Sequence, residues 1–122
     1  MAGAVPIITV QREGDALILT PERDLRELEY QEIEAEADEL LRRLAADLSI
    51  RHVVADLGKT GYFGSTALGL FTQLHQQLRQ RNGQMALCNL SADEGEILNV
   101  AGLVPLLPAY PSREAALAAV SR

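Results

Sequence analysis

His52-Val53-Val54-Ala55-Asp56-Leu57, then Gly58-Lys59-Thr60-Gly61-Tyr62-Phe63, then Gly64-Ser65-Thr66-Ala67-Leu68: this stretch reads as a strand, a loop and a helix start. Val53, Val54 and Ala55 follow one another without polar alternation. Such a run suits a strand covered on both faces, as in the middle of a partly parallel sheet. Glycines at 58, 61 and 64 punctuate the loop. Ser65 begins the helix, and Ala67, Leu70, Phe71, Leu74 and Leu78 recur at helical spacing to form an inward stripe. Asn82-Gly83 ends it with a left-handed stop. Met85–Cys88 is another short, wholly apolar run and is expected as another buried strand.

Upstream, Ile7–Val10 and Ala16–Thr20 are rich in Ile, Val, Leu and Thr. Glu13-Gly14-Asp15 separates them, with Gly14 able to take a positive φ, so the pair reads as an antiparallel hairpin. Pro21 stops the second strand. Asp24, with Glu27 three residues on, has capping-box-like spacing. Leu25, Leu28, Ile33, Ala37, Leu40, Leu41, Leu44 and Leu48 then recur with helical period. An amphipathic helix is expected from about Leu25 to Asp47. Glu27, Glu29, Glu32, Glu34, Glu36 and Glu39 form its solvated, mildly self-repelling face.

Downstream, Ser91-Ala92-Asp93-Glu94 is a capping box. It opens a short helix through Ile97, Leu98 and Val100, closed near Gly102. Leu106–Tyr110 is expected as a last short strand. Ser112 caps the final helix, whose Ala116, Leu117 and Val120 face inward. The order is β-β-α-β-α-β-α-β-α. Alternating strands and helices imply parallel crossovers, and the hairpin adds an antiparallel edge. The fold class is α/β, a mixed sheet of about four to five strands with four helices. Val53–Asp56 and Met85–Cys88 are expected as its central strands.

The chain has 122 residues, which fits a single domain over 1–122. Nearly half is apolar and only 4% aromatic, so the core must be aliphatic. A net charge of -6 argues against nucleic acid and against anionic membrane surfaces. Cys88 is the one cysteine, which excludes an intramolecular disulfide and suits a reducing cytosol. Met1–Val10 lacks the charged start and long apolar run of a signal peptide. No stretch approaches the roughly 20 apolar residues that span a bilayer. A cytoplasmic chain with protein partners is expected.

The pattern resembles the STAS domain family, of the anti-sigma factor antagonist type. In that family a buried strand ends in Asp, a loop follows, and Asp-Ser-Ser/Thr-Gly-Leu opens a helix. Here His52–Leu57, Gly58–Phe63 and Gly64-Ser65-Thr66-Ala67-Leu68 hold those places. Arg81–Ser91 resembles the family's helix end and next strand, Val100-Ala101-Gly102-Leu103 its Ser-Gly-Leu turn, and Ser112–Leu117 the start of its last helix. Pro21-Glu22-Arg23-Asp24 sits where the family shows Gly-Glu-Leu-Asp. Three positions depart: Gly64 replaces the acid before the serine, Ala67 the glycine after the hydroxyl pair, and Pro21 a glycine.

The resemblance implies a non-enzymatic partner switch without cofactor or metal. The unphosphorylated domain binds a serine kinase that is also an anti-sigma factor, and so frees the sigma factor. Phosphorylation of Ser65, or alternatively of Thr66, breaks the complex, and a serine phosphatase resets it. The implied partner surface comprises Glu22, Asp24, Tyr62, Phe63, Gly64, Ser65, Thr66 and Leu68. The residues themselves leave other roles open. Ser65 reads as a helix N-cap, a place that favours Ser and Thr in any protein. Asp24 reads as a cap too. Of Tyr62 and Phe63, one is expected to be buried under the loop.

Two further readings stay open: a STAS scaffold or transporter regulatory subunit without phosphorylation, and a small enzyme or ligand-binding domain using the 58–65 loop. The second lacks clustered acids, bases or metal ligands. Gly58-Lys59-Thr60 is not a nucleotide loop, because the glycine needed five residues earlier is Val53. His52 and His75 lie too far apart in the chain for metal-ligand spacing, and Cys88 reads as a small core residue.

Overall fold

The computed structural model describes residues 6–25 and 30–121. Its elements follow the expected order: β1 (Ile8–Glu13), β2 (Ala16–Pro21), α1 (Tyr30–Ala46), β3 (His52–Asp56), α2 (Ser65–Arg79), β4 (Met85–Cys88), α3 (Ala92–Val100), β5 (Ala109–Tyr110) and α4 (Arg113–Val120). The strands form one sheet in the order β1-β2-β3-β4-β5. β1 and β2 pair antiparallel; the other pairs are parallel. Both apolar runs therefore lie inside the sheet, β3 at its centre and β4 covered by the two-residue β5. In the hairpin Glu13 pairs with Ala16, and Gly14 turns the chain with φ 61°.

Successive strand residues point to opposite faces. Leu17, Leu19, Val53, Ala55, Met85 and Leu87 meet α1, α2 and Leu98 of α3 in the main core. Val54, Ala86 and Cys88 point the other way and meet Ala116 and Val120 of α4. Crossovers of one hand that all step the same way place their helices on one face, which leaves the other to α4. Burial first, then the Asp56 carboxylate, pushes the Cys88 thiol up to about 12. It is a packing residue, without a nucleophilic thiolate at neutral pH.

Several boundaries differ from expectation. Leu25 is not helical: it forms a lone parallel bridge with Phe63, and the described helix begins at Tyr30. Leu28, and Glu27 of the proposed cap spacing, lie outside the described residues. Leu48 was expected on the inward stripe but is 71% exposed. The helix ends at Ala46, and Asp47 starts a turn by accepting from Ser49 N at 3.0 Å, so the helical period no longer applies at 48. The last strand shrinks to Ala109–Tyr110, because residues 104–107 form turns in which Leu106 and Leu107 bond back to the Leu103 carbonyl. The caps of the short helices are as read. Ser91 Oγ accepts from Glu94 N at 3.1 Å, Glu94 Oε1 accepts from Ser91 N at 2.9 Å, and Ser112 Oγ accepts from Ala115 N at 3.1 Å.

His52 opens β3 and gives the fold an acid-sensitive point. Its Nδ1 accepts from Gln84 N at 3.1 Å, which requires that nitrogen to be unprotonated. Burial pushes the imidazole below the ordinary histidine range; Asp15 opposes this and Arg51 adds to it. Well above the ordinary histidine value of about 6.5 the ring is neutral both folded and unfolded, so it adds no pH dependence there. As pH falls below that value the unfolded chain binds the proton first, and stability is lost until the folded ring protonates too. The melting temperature is expected to fall between about pH 7 and about pH 5, and to fall less in His52→Asn, whose amide oxygen keeps an acceptor without titrating. Equal slopes for the two proteins would remove His52 from the acid response.

Candidate functional site

The loop from Leu57 to Gly64 joins β3 to α2, and it is held from two sides. On one side is the chain just after β2. Glu22 accepts from Lys59 Nζ at 2.8 Å and from Thr9 Oγ1 at 2.7 Å. The Lys59 hydrogen bond, then that of Thr9, holds the Glu22 carboxyl below the usual carboxylate range. Gly61 N donates to Asp24 Oδ1 at 2.8 Å. Leu25 N donates to the Tyr62 carbonyl at 3.3 Å, and Gly64 N to the Leu25 carbonyl at 3.0 Å. Glu22 and Asp24 thus both lie beside the loop. Asp24 serves the loop's backbone, which a reading of it as a helix cap did not foresee.

On the other side is the start of α3. Ser91 Oγ donates to the Gly61 carbonyl at 2.8 Å while accepting from Glu94 N. Glu94 is fully buried, and its second oxygen is hydrogen-bonded to the Thr60 hydroxyl. The capping box therefore does two jobs: it starts α3 and clamps the loop. Phe63 lies beneath, 1% exposed, its ring edge-on to Phe71 with centroids 5.7 Å apart. Tyr62 points outward, 43% exposed. One of these two aromatics is expected beneath the loop, and Phe63 is that one: it anchors the loop from inside and leaves the outer surface to Tyr62, since consecutive residues in an extended segment face opposite ways.

Ser65 does not cap α2. The cap is Gly64, buried and extended at φ -100° and ψ -169°, whose carbonyl accepts the first helical bond from Leu68 N at 3.2 Å. Ser65 is the first helical residue and is exposed, with Thr66 and Leu68 half-buried behind it. The first turn carries no acidic side chain. A helix N-terminus favours negative charge, so a phosphate on Ser65 suits the local field. The Gly64 backbone is ordinary extended chain that any residue can adopt.

A second polar group, not foreseen from the sequence, closes the end of β3. Asp56 accepts from Gly58 N at 3.0 Å, Asn89 Nδ2 at 3.0 Å and Arg113 Nε at 3.0 Å. Burial alone would raise its carboxyl; the bonds from Asn89, Gly58 and Arg113 outweigh burial and hold it low. Arg113 also reaches Thr20 Oγ1 at 3.2 Å. The first residue of α4 thus ties β2 and β3 together where the loop begins. Asn89 takes a positive φ of 58°, a conformation asparagine tolerates better than most residues.

Among known proteins, the family model described as STAS domain matches residues 8–116. The chain is 39% identical over 87 residues to BtrV of Bordetella bronchiseptica, assigned by name to the anti-sigma factor antagonists; the match covers 70% of this chain and 75% of that protein. It is 25% identical over 85 residues to the anti-sigma F factor antagonist of Paenibacillus polymyxa, covering 70% and 69%. In structure it is similar to the anti-sigma factor antagonist SpoIIAA in its unphosphorylated form, with a TM-score of 0.78, 14% identity and 93% and 96% of the two chains covered. At that identity the likeness shows the fold alone.

Proposed function

Because the chain belongs to the STAS domain family, with relatives named as anti-sigma factor antagonists, we propose that it is a partner switch controlled at Ser65. In the unphosphorylated state the surface around Tyr62, Ser65, Thr66 and Leu68 binds a serine kinase that also acts as an anti-sigma factor. Glu22, Asp24 and Gly64 shape that surface through the loop. Phosphate on Ser65 ends the contact, and a serine phosphatase restores it. The domain performs no chemistry itself.

The observation that carries this reading is the exposed Ser65 at the first position of α2, at the end of a loop pinned on both sides. A rigid loop presents the hydroxyl in one place, to a partner and to a kinase alike. The phosphate adds about -1.5 to -2 charge and a hydration shell. Within a close-fitting interface both oppose contact, and nothing needs to unfold.

Ser65→Asp and Ser65→Ala test it. Asp suits the first turn of a helix, so Ser65→Asp should fold normally. It should bind the host's kinase at least about 30-fold more weakly, while Ser65→Ala binds like the native chain. Peptide mapping after incubation with that kinase and ATP should place the phosphate on Ser65. Full binding by Ser65→Asp, with no phosphate on Ser65 or Thr66, would sink the switch. It would favour the phosphorylation-independent scaffold or transporter subunit, a reading to which the absent acid at Gly64 lends support.

A further inference from the structure

We infer that the groove between Tyr62 and the outer face of α3 receives an apolar side chain, flanked by a basic one, from the same protein partner that covers Ser65. The inference rests on the partner-switch reading above and adds a second contact to it.

The reason lies in α3. Glu94 and Leu98, four residues apart, form its buried side. A helix with one face in the core normally leaves its other face polar. On α3 that outer face is mixed: between its acidic residues Ile97, which packs partly against the core, Val100 and the following Ala101 line an open groove with Tyr62, and Val100 is 82% exposed. The turn behind the helix exposes Val104 at 48% and Leu106 at 39%. Of the six large hydrophobic side chains exposed among the described residues, four therefore belong to the loop or to α3 and its turn. Exposed apolar side chains scattered singly need no explanation, whereas Tyr62 and Val100 share one groove with Ile97 and Ala101 beside the loop, and such a grouping marks a contact surface.

Charge narrows the occupant. The groove's two charged lining residues, Asp93 and Glu96, are both acidic, and the whole chain carries -6. An acidic rim on an apolar floor disfavours nucleic acid and anionic lipid. It matches a lysine or arginine beside an aliphatic side chain, the arrangement of one face of an amphipathic helix. Position narrows it further. Tyr62 is three residues before Ser65, on the loop that Ser91 and Glu94 clamp to α3. The groove and the Ser65 surface are thus rigidly joined, and one partner can cover both.

The test titrates the purified host kinase against the native chain, Val100→Glu, Glu96→Lys and Ser65→Asp by calorimetry. Val100→Glu should weaken binding at least about tenfold, the size of a single interface hot spot. Glu96→Lys should weaken it less and reduce its salt dependence. Both should melt within a few degrees of the native chain, since neither side chain is in the core. If Ser65→Asp loses binding while Val100→Glu and Glu96→Lys bind like the native chain, the groove is outside the interface and the switch stands alone. If the native chain does not bind the kinase, both readings fall. If instead the native chain self-associates on a sizing column and Val100→Glu makes it monomeric, the occupant is a second copy and the inference is overturned.

Discussion

Phe63→Ala is expected to lower the unfolding free energy by about 3–5 kcal/mol, while Tyr62→Ala, one residue away, should change it by about 0.5 kcal/mol or less. The Phe63 ring is 1% exposed and sits edge-on to Phe71 at an interplanar angle of 86°. Truncating it removes a fully buried ring and an aromatic pair, and leaves a cavity beneath the loop. The backbone on either side of it carries the bridge to Leu25. The loop should therefore loosen as well, and the melting temperature should drop by roughly 10–20 °C for a domain of this size. Denaturant titration of both variants checks this. A loss below about 1 kcal/mol for Phe63→Ala would show that the ring does not anchor the loop. The two substitutions should also divide partner binding into its causes. Phe63→Ala acts by disordering the Ser65 surface, Tyr62→Ala by removing a contact from a surface still in place.

Gly83→Ala is expected to cost about 3 kcal/mol or more, beyond the usual price of overpacking because the obstruction is backbone. A Cβ at position 83 would lie 1.6 Å from the Arg51 carbonyl oxygen and 2.8 Å from its carbon. A backbone carbonyl at the start of a central strand cannot step aside without moving β3. The end of α2 is also closed there: Gly83 N donates to the Leu78 carbonyl at 2.7 Å, and Arg81 Nη1 bonds the Asp47 carbonyl at 3.2 Å and the Ile50 carbonyl at 3.0 Å. The substitution therefore forces apart the segment before β3 and the segment before β4. By comparison, Asn82 takes the left-handed conformation at φ 58°, and Asn82→Ala should cost only about 1 kcal/mol. Thermal melts of the two variants, with Gly83→Ala lower by roughly 10 °C or failing to fold, check the ranking. A reversed order would mean that helix termination, and not the close approach to Arg51, is what position 83 supplies.

The Asn82-Gly83 pair shows how far sequence reading reaches. The dipeptide identified a helix stop, and a stop is there. Which residue carries the positive φ, and why the other must be glycine, depends on Arg51, far away in the chain. The elements were legible for a local reason. Apolar runs such as Val53-Val54-Ala55 and Met85–Cys88 need cover on both faces, and caps such as Ser91–Glu94 and Ser112 act within four residues, so their signals lie where they act. Period alone misled in two places: Leu25 kept the helical period but is drawn into a bridge with distant Phe63, and Leu48 continued a stripe after the Asp47–Ser49 turn had ended its helix. Ser65 was legible as a helix start, though its place just inside the helix rather than at the cap was set by the Gly64 backbone.

The amino-acid sequence by itself determined the order of elements, the two inner strands and the family, because periodicity and capping are properties of neighbouring residues. Tertiary structure alone decided the site's support. Asp56 meets Arg113 across 57 positions, Thr60 meets Glu94 across 34, and Lys59 meets Glu22 across 37. It also decided that Phe63 goes in and Tyr62 stays out. A lone acid, hydroxyl or aromatic ring has no period and no fixed spacing to its partner. Only the parallel stacking of β2, β3 and β4, which brings their carboxyl ends together, puts those groups within hydrogen-bonding distance.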